Sequence, residues 1–456
     1  MPTIVDPQRH IDALWGKQQT KEKTKYRLMK YVLRFECDNK MLLHNVVTGQ
    51  LVVLEQAEVG VVESLPKMYE PAMKQLITEH YLVPEDYDEH DPVKKMRLVL
   101  RMLTDQQQGC GLTVYTILPT TGCNARCYYC FEHGIRSESM TEDTADDVIN
   151  FIAAHNYGKL VNLKWFGGEP TLGANRITQI CKGLKEKKVP FTSTMTTNGY
   201  LFDEEMCTQA KSIWNLQRVV ISVDGVGDDY NRIKDYVSVK DNPYERVLRN
   251  IGLLIDQRIH VRVRMNFDQS NETEFEELLA DISKRVPPNP FIEVCAHYIN
   301  DVQIVDGKEI HHGTDAWYNE KIHELHEIAR KKGYLGFNSR LPSLDYRWCP
   351  AASKRAVTIT PRGKLVSCYE FMGDEEAIGD LEQGITNCSL DQSWRCFADI
   401  AECAECVLFP DCAKIFRCKR NEECLMKTEK LDAARNAAIR NYKTFFKLYG
   451  KEGIPK

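Results

Sequence analysis

The residues best suited to chemistry lie on one short segment, TTGCNARCYYC, where Cys123, Cys127 and Cys130 have the spacing Cys-x3-Cys-x2-Cys. Three thiolates this close can ligate three irons of a 4Fe–4S cube. The fourth iron then lacks a protein ligand and can take a small molecule. A structural zinc site instead recruits four protein ligands, and only His133 stands nearby as a fourth. A second concentration of thiols follows, with Cys349, Cys368, Cys388, Cys396, Cys403, Cys406, Cys412, Cys418 and Cys424 between positions 349 and 424. Cys403-x2-Cys406 alone also reads as a zinc half-site.

The chain has 456 residues and 17 cysteines, too long to need disulfide staples. Its N-terminus, MPTIVDPQRH, lacks the apolar core of a signal peptide. A cytoplasmic, reducing location is therefore expected, where cysteines serve as metal ligands or catalytic thiols. No stretch approaches the ~20 apolar residues of a membrane helix, so no membrane partner is expected. Lys and Arg total 60 against 65 Asp and Glu, a net charge of −5, which argues against a general nucleic-acid surface.

The cysteine loop follows a strand. From Leu112 to about Lys332, apolar strands alternate with helices. The expected strands are Leu112–Leu118, Val161–Phe166, Phe191–Thr196, Arg218–Val223, His260–Phe267 and Phe291–His297. Helices are expected between them, with one more over Trp317–Lys331. This alternation means a parallel sheet covered by helices, and six units suit a partial (β/α)6 TIM-like barrel, an α/β fold. Chemistry in such a fold belongs to the loops after the strands. Upstream, strands over Tyr26–Glu36, Lys40–Asn45 and Leu51–Leu54 precede two helical stretches, suggesting a winged-helix-like module. Residues 84–95 read as a charged linker. Residues 345–425 show little periodicity, as in a chain folded around metal, and residues 426–450 read as a terminal helix. The expected domains are 1–95, 96–340, 341–425 and 426–456.

Cys-x3-Cys-x2-Cys after the first strand of such a chain resembles the radical S-adenosylmethionine enzymes. The resemblance implies that the open iron chelates S-adenosylmethionine and that its reductive cleavage yields a 5′-deoxyadenosyl radical. The later loops carry further likenesses. Gly167-Gly168-Glu169-Pro170 resembles the family's GGEP stretch along the methionyl amino group, and glycines there allow close backbone approach. Thr196-Thr197-Asn198-Gly199 resembles a TNG turn near the cofactor. Ser222-Val223-Asp224-Gly225 resembles the stretch that contacts ribose or carboxylate. Arg232 is a candidate fork for the cofactor carboxylate. On the fifth strand Arg264 is a further cofactor candidate, with the expectation that Arg264 and Asn266 do not both face inward. Tyr129 is a candidate to pack on adenine or to shield the cluster.

The C-terminal cysteines resemble the SPASM extension of the same family, which binds two auxiliary clusters. Their order matches. Two spacings depart: five residues separate Cys412 from Cys418 where three are usual, and the final gap is short. Carried over by order, one cluster takes Cys349, Cys368 and Cys418, the other Cys403, Cys406, Cys412 and Cys424. Cys388 or Cys396 completes the first set, or one of its irons is open to a substrate thiolate. The cofactors implied are S-adenosylmethionine and three 4Fe–4S clusters.

Members with this layout mostly modify peptides. In the sulfatase maturases a basic Asp follows the second cysteine of the extension; here that residue is Tyr369. The N-terminal module resembles the PqqD-like domains of peptide maturases, which bind a leader by strand addition. The function implied is a peptide maturase that forms a cysteine thioether crosslink in a precursor peptide, served by a flavodoxin- or ferredoxin-type reductant. Carbon–carbon crosslinking, epimerisation (with Cys295 as hydrogen donor) and protein oxidation are alternatives. A non-catalytic zinc-binding interaction protein is the alternative of a different class.

Overall fold

The structure is a computed structural model. It describes residues 15–16, 18–37, 39–108, 111–132, 134–299, 303–305, 308–310, 315–336, 344, 349–396, 401–412, 415, 417–418, 436, 439–440 and 443. Cys110, His133, Cys424 and most of the expected terminal helix lie outside the described residues. The chain divides into two compact units, residues 1–109 with 338–349 and 396–456, and residues 110–337 with 350–395. No helix among the described residues is long and apolar enough to cross a membrane.

The first unit begins with β1 (Lys25–Leu28), β2 (Val32–Cys37), β3 (Lys40–Asn45), β4 (Leu51–Val53) and α1 (Gln56–Glu63). Next come β5 (Lys67–Met68), α2 (Lys74–Thr78), β6 (Leu82–Pro84) and α3 (His90–Gln108). These strands form two antiparallel sheets, ordered β5-β1-β6 and β2-β3-β4. The stretch expected as one strand from Tyr26 breaks into β1 and β2, because the chain turns at Met29, whose carbonyl accepts from the Val32 N–H at 3.1 Å. The expected linker also differs: α3 starts at His90, inside it. Val93, Met96 and Leu100 recur at helical spacing and are buried, so the charged residues form the exposed face of a helix. The core of this unit joins Tyr26, Leu42, Ile77 and Val93 to Cys406, Leu408 and Phe409 of the cysteine-rich segment.

The second unit is a mostly parallel sheet with helices on one face. Its elements are β7 (Val114–Ile117), α4 (Glu142–His155), β8 (Val161–Trp165), α5 (Ala174–Glu186), β9 (Phe191–Thr197), α6 (Glu204–Ser212) and β10 (Leu216–Ser222). They continue with α7 (Gly227–Lys234), α8 (Pro243–Asp256), β11 (His260–Phe267), α9 (Phe275–Arg285), β12 (Ile292–Tyr298), the hairpin β13 (Gln303–Val305) and β14 (Lys308–Ile310), and α10 (Asp315–Lys331). The six expected strands are thus present, and β12-β11-β10-β9-β8-β7 pair in parallel.

Alternation along these strands sorts the side chains. On β11, Val261, Val263 and Met265 are buried in the helix-covered core, while Arg262 and Arg264 face the other way. Residues 356–385 depart from the irregular expectation. β15 (Ala356–Ile359) pairs in parallel with β7, and β16 (Lys364–Val366), β17 (Ala377–Asp380) and β18 (Gly384–Ile385) extend the sheet antiparallel. Val357, Ile359 and Leu365 join the same core, which ties this stretch to the parallel strands. A short helix, α11 (Cys388–Trp394), closes the unit.

Candidate active site

The cysteine segment leaves the end of β7 and is held from three sides. Gly168 N–H donates to Thr120 O at 3.3 Å and Glu169 N–H to Gly122 O at 2.9 Å, which ties it to the loop after β8. Asn198 Nδ2 donates to Asn124 Oδ1 at 2.7 Å, from the loop after β9. Arg126 N–H donates to Lys234 O at 2.8 Å, at the end of α7. The loops after successive strands therefore converge at one end of the sheet, as the strand order requires.

The contact with the GGEP loop is backbone against backbone. A Cβ on Gly168 would stand 2.3 Å from Gly122 O and 2.5 Å from Thr121 O. Gly167 has φ +119°, and a Cβ there would stand 2.2 Å from Thr120 O. Only glycine allows this approach. Glu169 is fully buried. Its Oε1 accepts from Thr171 N–H (3.0 Å), Thr171 Oγ1 (2.5 Å) and Thr197 Oγ1 (2.6 Å), and its Oε2 accepts from Asn198 N–H (2.8 Å). Burial disfavours its charged form and raises its pKa, opposed by these four donors. The Glu169 carboxylate thus staples the GGEP and TTN loops, with Pro170 buried beside it.

A second buried network lies at the ends of β10 and β11. Lys234 Nζ stands 2.5 Å from Asp224 Oδ2, and both side chains are within 1% of complete burial. Lys234 also donates to Ser222 Oγ (2.8 Å) and to Tyr129 Oη (3.0 Å). Tyr129 Oη donates to Asp224 Oδ2. Asn266 donates to Asp224 Oδ1 through its N–H (2.8 Å) and Nδ2 (2.9 Å). Burial opposes the Lys234 charge, but Asp224 together with Cys127, Tyr129 and Tyr230 outweighs it and holds the ammonium well above its ordinary range. The adjacent Tyr128 Oη donates to Asp268 Oδ2 at 2.6 Å. Both tyrosines of the CYYC segment therefore fasten the cysteine loop to β10 and β11.

The three thiols are half-buried and free. Burial pushes Cys123 up to about 12, and raises Cys127 and Cys130 as well. Thiols in this state become thiolates when a metal supplies positive charge. Three of them on one loop, with a glycine cradle beside them, fit an iron–sulfur cube carrying a ligand. Among the described residues no three His, Cys, Asp or Glu side chains converge as ligands of one ion; in a cube each thiolate binds a different iron.

The structure brings Cys123, Cys127, Cys130, Tyr129, Gly167, Gly168, Glu169, Pro170, Thr197, Asn198, Ser222 and Asp224 to this end of the sheet. Arg232 is placed elsewhere. It is 65% exposed and pairs with Asp229 one helical turn away at 2.7 Å. The buried cation of α7 is Lys234, two residues on. A signal for it was present, since Lys234 stands four residues after Tyr230 and beside Ile233 on the buried face of the helix. Arg264 and Asn266 are two residues apart and share a face, because strand side chains alternate with period two. Asn266 was thus underrated by sequence reasoning. In the C-terminal region, Cys349, Cys388 and Cys396 are exposed, Cys368, Cys403, Cys412 and Cys418 half-buried, and Cys406 buried.

Residues 117–282 match the model of the Radical SAM superfamily. The chain is 21% identical over 364 residues to the radical SAM cyclopropyl synthase TigE of Paramaledivibacter caminithermalis, covering 72% of this chain and 71% of that protein. It is 21% identical over 290 residues to the GTP 3′,8-cyclase of Clostridium perfringens, covering 59% of this chain and 84% of that one. In fold it is similar to Streptococcus suis SuiB, with TM-score 0.51 and 15% identity over 91% of this chain and 98% of that one. It is also similar to anSMEcpe with bound AdoMet, with TM-score 0.53 and 17% identity over 74% of this chain and 96% of that one. The cysteine loop and the glycine cradle lie within the matched stretch, so residues 117–282 form the radical SAM domain of this enzyme.

Proposed function

We propose that the chain is a peptide maturase that uses S-adenosylmethionine to form an intramolecular bond in a ribosomal precursor peptide. The observation that carries this reading is the cysteine loop, cradled by Gly167 and Gly168 and fastened by Tyr129 to the Asp224–Lys234 pair. Cys123, Cys127 and Cys130 would hold the 4Fe–4S cluster. When bound, the cluster and S-adenosylmethionine supply a 5′-deoxyadenosyl radical that removes hydrogen from a substrate carbon. The chain's own residues do the positioning. Gly167 and Gly168 would admit the cofactor's methionyl end, Thr197 and Asn198 would shape the adjoining wall, and Lys234, through Asp224 and Tyr129, would hold the cysteine loop in place. Support for a peptide substrate comes from the fold likeness to SuiB, also solved with the precursor peptide SuiA, and to anSMEcpe, solved with the Cp18Cys peptide.

The first reading of the product is a cysteine thioether. It rests on the order of the cysteines, in which Cys349, Cys368 and Cys418 alone would leave an auxiliary iron open to a substrate thiolate, whereas Cys388 or Cys396 as a fourth ligand would close it. The remaining set, Cys403, Cys406, Cys412 and Cys424, would hold a second auxiliary cluster that passes electrons outward. The N-terminal unit, read as a winged-helix-like module, would take the leader peptide as an added strand. A second reading, carbon–carbon bond formation, is favoured by the likeness to TigE across 72% of the chain.

The test is anaerobic reconstitution with iron and sulfide, then reduction with S-adenosylmethionine and the precursor peptide. The expected results are absorbance near ~400 nm from iron–thiolate clusters, release of 5′-deoxyadenosine, and a peptide lighter by two hydrogens whose cysteine no longer alkylates. A product whose cysteine still alkylates selects carbon–carbon bonding. No 5′-deoxyadenosine from a fully loaded enzyme defeats the proposal.

A further inference from the structure

Strands β7–β12 carry one acid, Glu293, against Lys164, Arg218, Arg262 and Arg264 on the face turned away from the helices. Glu293 is already engaged: Arg262 Nε donates to it at 2.8 Å and Arg262 Nη2 stands 2.7 Å from it. Arg264 is different. Its Nε is buried with no hydrogen-bond partner, and among the described residues its guanidinium makes no ion pair. Its register neighbours are neutral, Ser222 on β10 and Cys295 on β12. It stands two residues before Asn266, about 6.6 Å along the strand from the network around Tyr129 and Asp224.

A buried guanidinium Nε without an acceptor costs stability that a carboxylate arriving in fork geometry recovers. Arg presents the planar donor pair that such a group needs. Cys295 marks the same spot, since Arg262 and Arg264 both act on its thiol electrostatically.

We propose that Arg264 binds a carboxylate of the substrate peptide, an Asp or Glu side chain or its C-terminus, and so selects which residue meets the cysteine loop. The assignment rests on the peptide-maturase reading of the same site. It moves Arg264 from the cofactor to the substrate.

Cys295 offers a local reporter. The loaded enzyme is treated anaerobically with iodoacetate, which carries a carboxylate, or with neutral iodoacetamide, and alkylation of Cys295 is read by mass spectrometry. Any effect of Arg264 on the thiolate fraction cancels in the ratio of the two rates. The ratio should exceed that of free glutathione by about tenfold and persist with saturating S-adenosylmethionine. Arg264→Gln should return it to the glutathione value, and Arg264→Lys should retain part of it.

A wild-type ratio equal to that of glutathione, or one unchanged by Arg264→Gln, overturns the proposal. Loss of the preference on adding S-adenosylmethionine assigns Arg264 to the cofactor's own carboxylate and also overturns it. If Cys295 resists both reagents, calorimetric titration with glutarate decides. Binding that Arg264→Gln weakens at least tenfold supports the site, and no binding to wild type refutes it. Release of 5′-deoxyadenosine by wild type is scored separately, so failure of the maturase reading is distinguishable from failure of the carboxylate site.

Discussion

Replacing Asp224 by Asn should destabilise the second unit more than replacing Lys234 by Met, although each variant removes one half of the same ion pair. Both side chains are within 1% of full burial. Removing one partner of a buried pair typically costs about 3–5 kcal/mol, because the other charge is left uncompensated. The two remainders differ here. Without Lys234, the Asp224 carboxylate keeps the Asn266 N–H, Asn266 Nδ2 and the Tyr129 hydroxyl as donors. Without the carboxylate's charge, the Lys234 ammonium keeps only neutral oxygens: Ser222 Oγ, Tyr129 Oη and the one amide oxygen of the substituted side chain.

Hydrogen bonds to a charged group contribute about 1.5–3 kcal/mol each; the three donors left on the carboxylate put Lys234→Met near the lower end of the range, and the amide NH2 of Asp224→Asn, which must face the Asn266 donors or the ammonium, puts that variant near the upper. The double variant Asp224→Leu/Lys234→Met should lie within about 2 kcal/mol of wild type, since no charge is stranded. The assay is urea unfolding of the loaded enzyme under anaerobic conditions, followed by circular dichroism. Both single variants should also raise the S-adenosylmethionine KM for 5′-deoxyadenosine release, because Tyr129 loses a partner in each. Equal costs for the two variants, or a cost below about 1 kcal/mol for Asp224→Asn, would refute this account of the buried pair.

Gly168→Ala should abolish 5′-deoxyadenosine release or raise the S-adenosylmethionine KM more than about tenfold. Its Cβ would stand 2.3 Å from Gly122 O and force the two backbones apart; wild-type kinetics in this variant would remove the cradle from the mechanism. Any one of Cys123→Ala, Cys127→Ala and Cys130→Ala should cost about four irons per chain and all cleavage of S-adenosylmethionine, checked by iron analysis and product assay. Glu89→Gln should destabilise the first unit by about 3 kcal/mol. Glu89 is 1% exposed and is gripped by Arg27 at 2.7 Å through both oxygens, with Lys30 N–H at 2.9 Å. Burial pushes the Glu89 pKa up, but Arg27 and the Lys30 N–H together outweigh it and leave it below the usual carboxylate range. Its contribution is therefore present above the unfolded value near ~4.3 and is lost as pH falls through the lower folded value. Urea midpoints measured against pH should show that loss in wild type and not in Glu89→Gln.

By itself the sequence determined the chemistry of the cysteine loop and the order of the strands. Both are local signals. Thiol spacing is read along a few residues, and strand–helix alternation is written in periods of 2 and 3.6. Hence Cys123, Cys127, Cys130 and the glycines after β8 are legible in the sequence, as are the six parallel strands. Tertiary structure decided which polar groups meet across distant loops. Arg232 and Lys234 are two residues apart with similar charge, yet one faces water and the other is buried against Asp224. Helix phase and the packing of α7 separate them, and an arginine is the more conspicuous residue in a motif. Glu169 looked like a ligand in sequence; folded, it is a staple between two loops 28 residues apart. The chain also folds its cysteine-rich segment around Phe409 into the core of the N-terminal unit, where Arg97 donates to Phe409 O at 2.9 Å across 312 residues. No local pattern encodes a contact of that separation, because it exists only once burial of Phe409 has brought the two ends of the chain together.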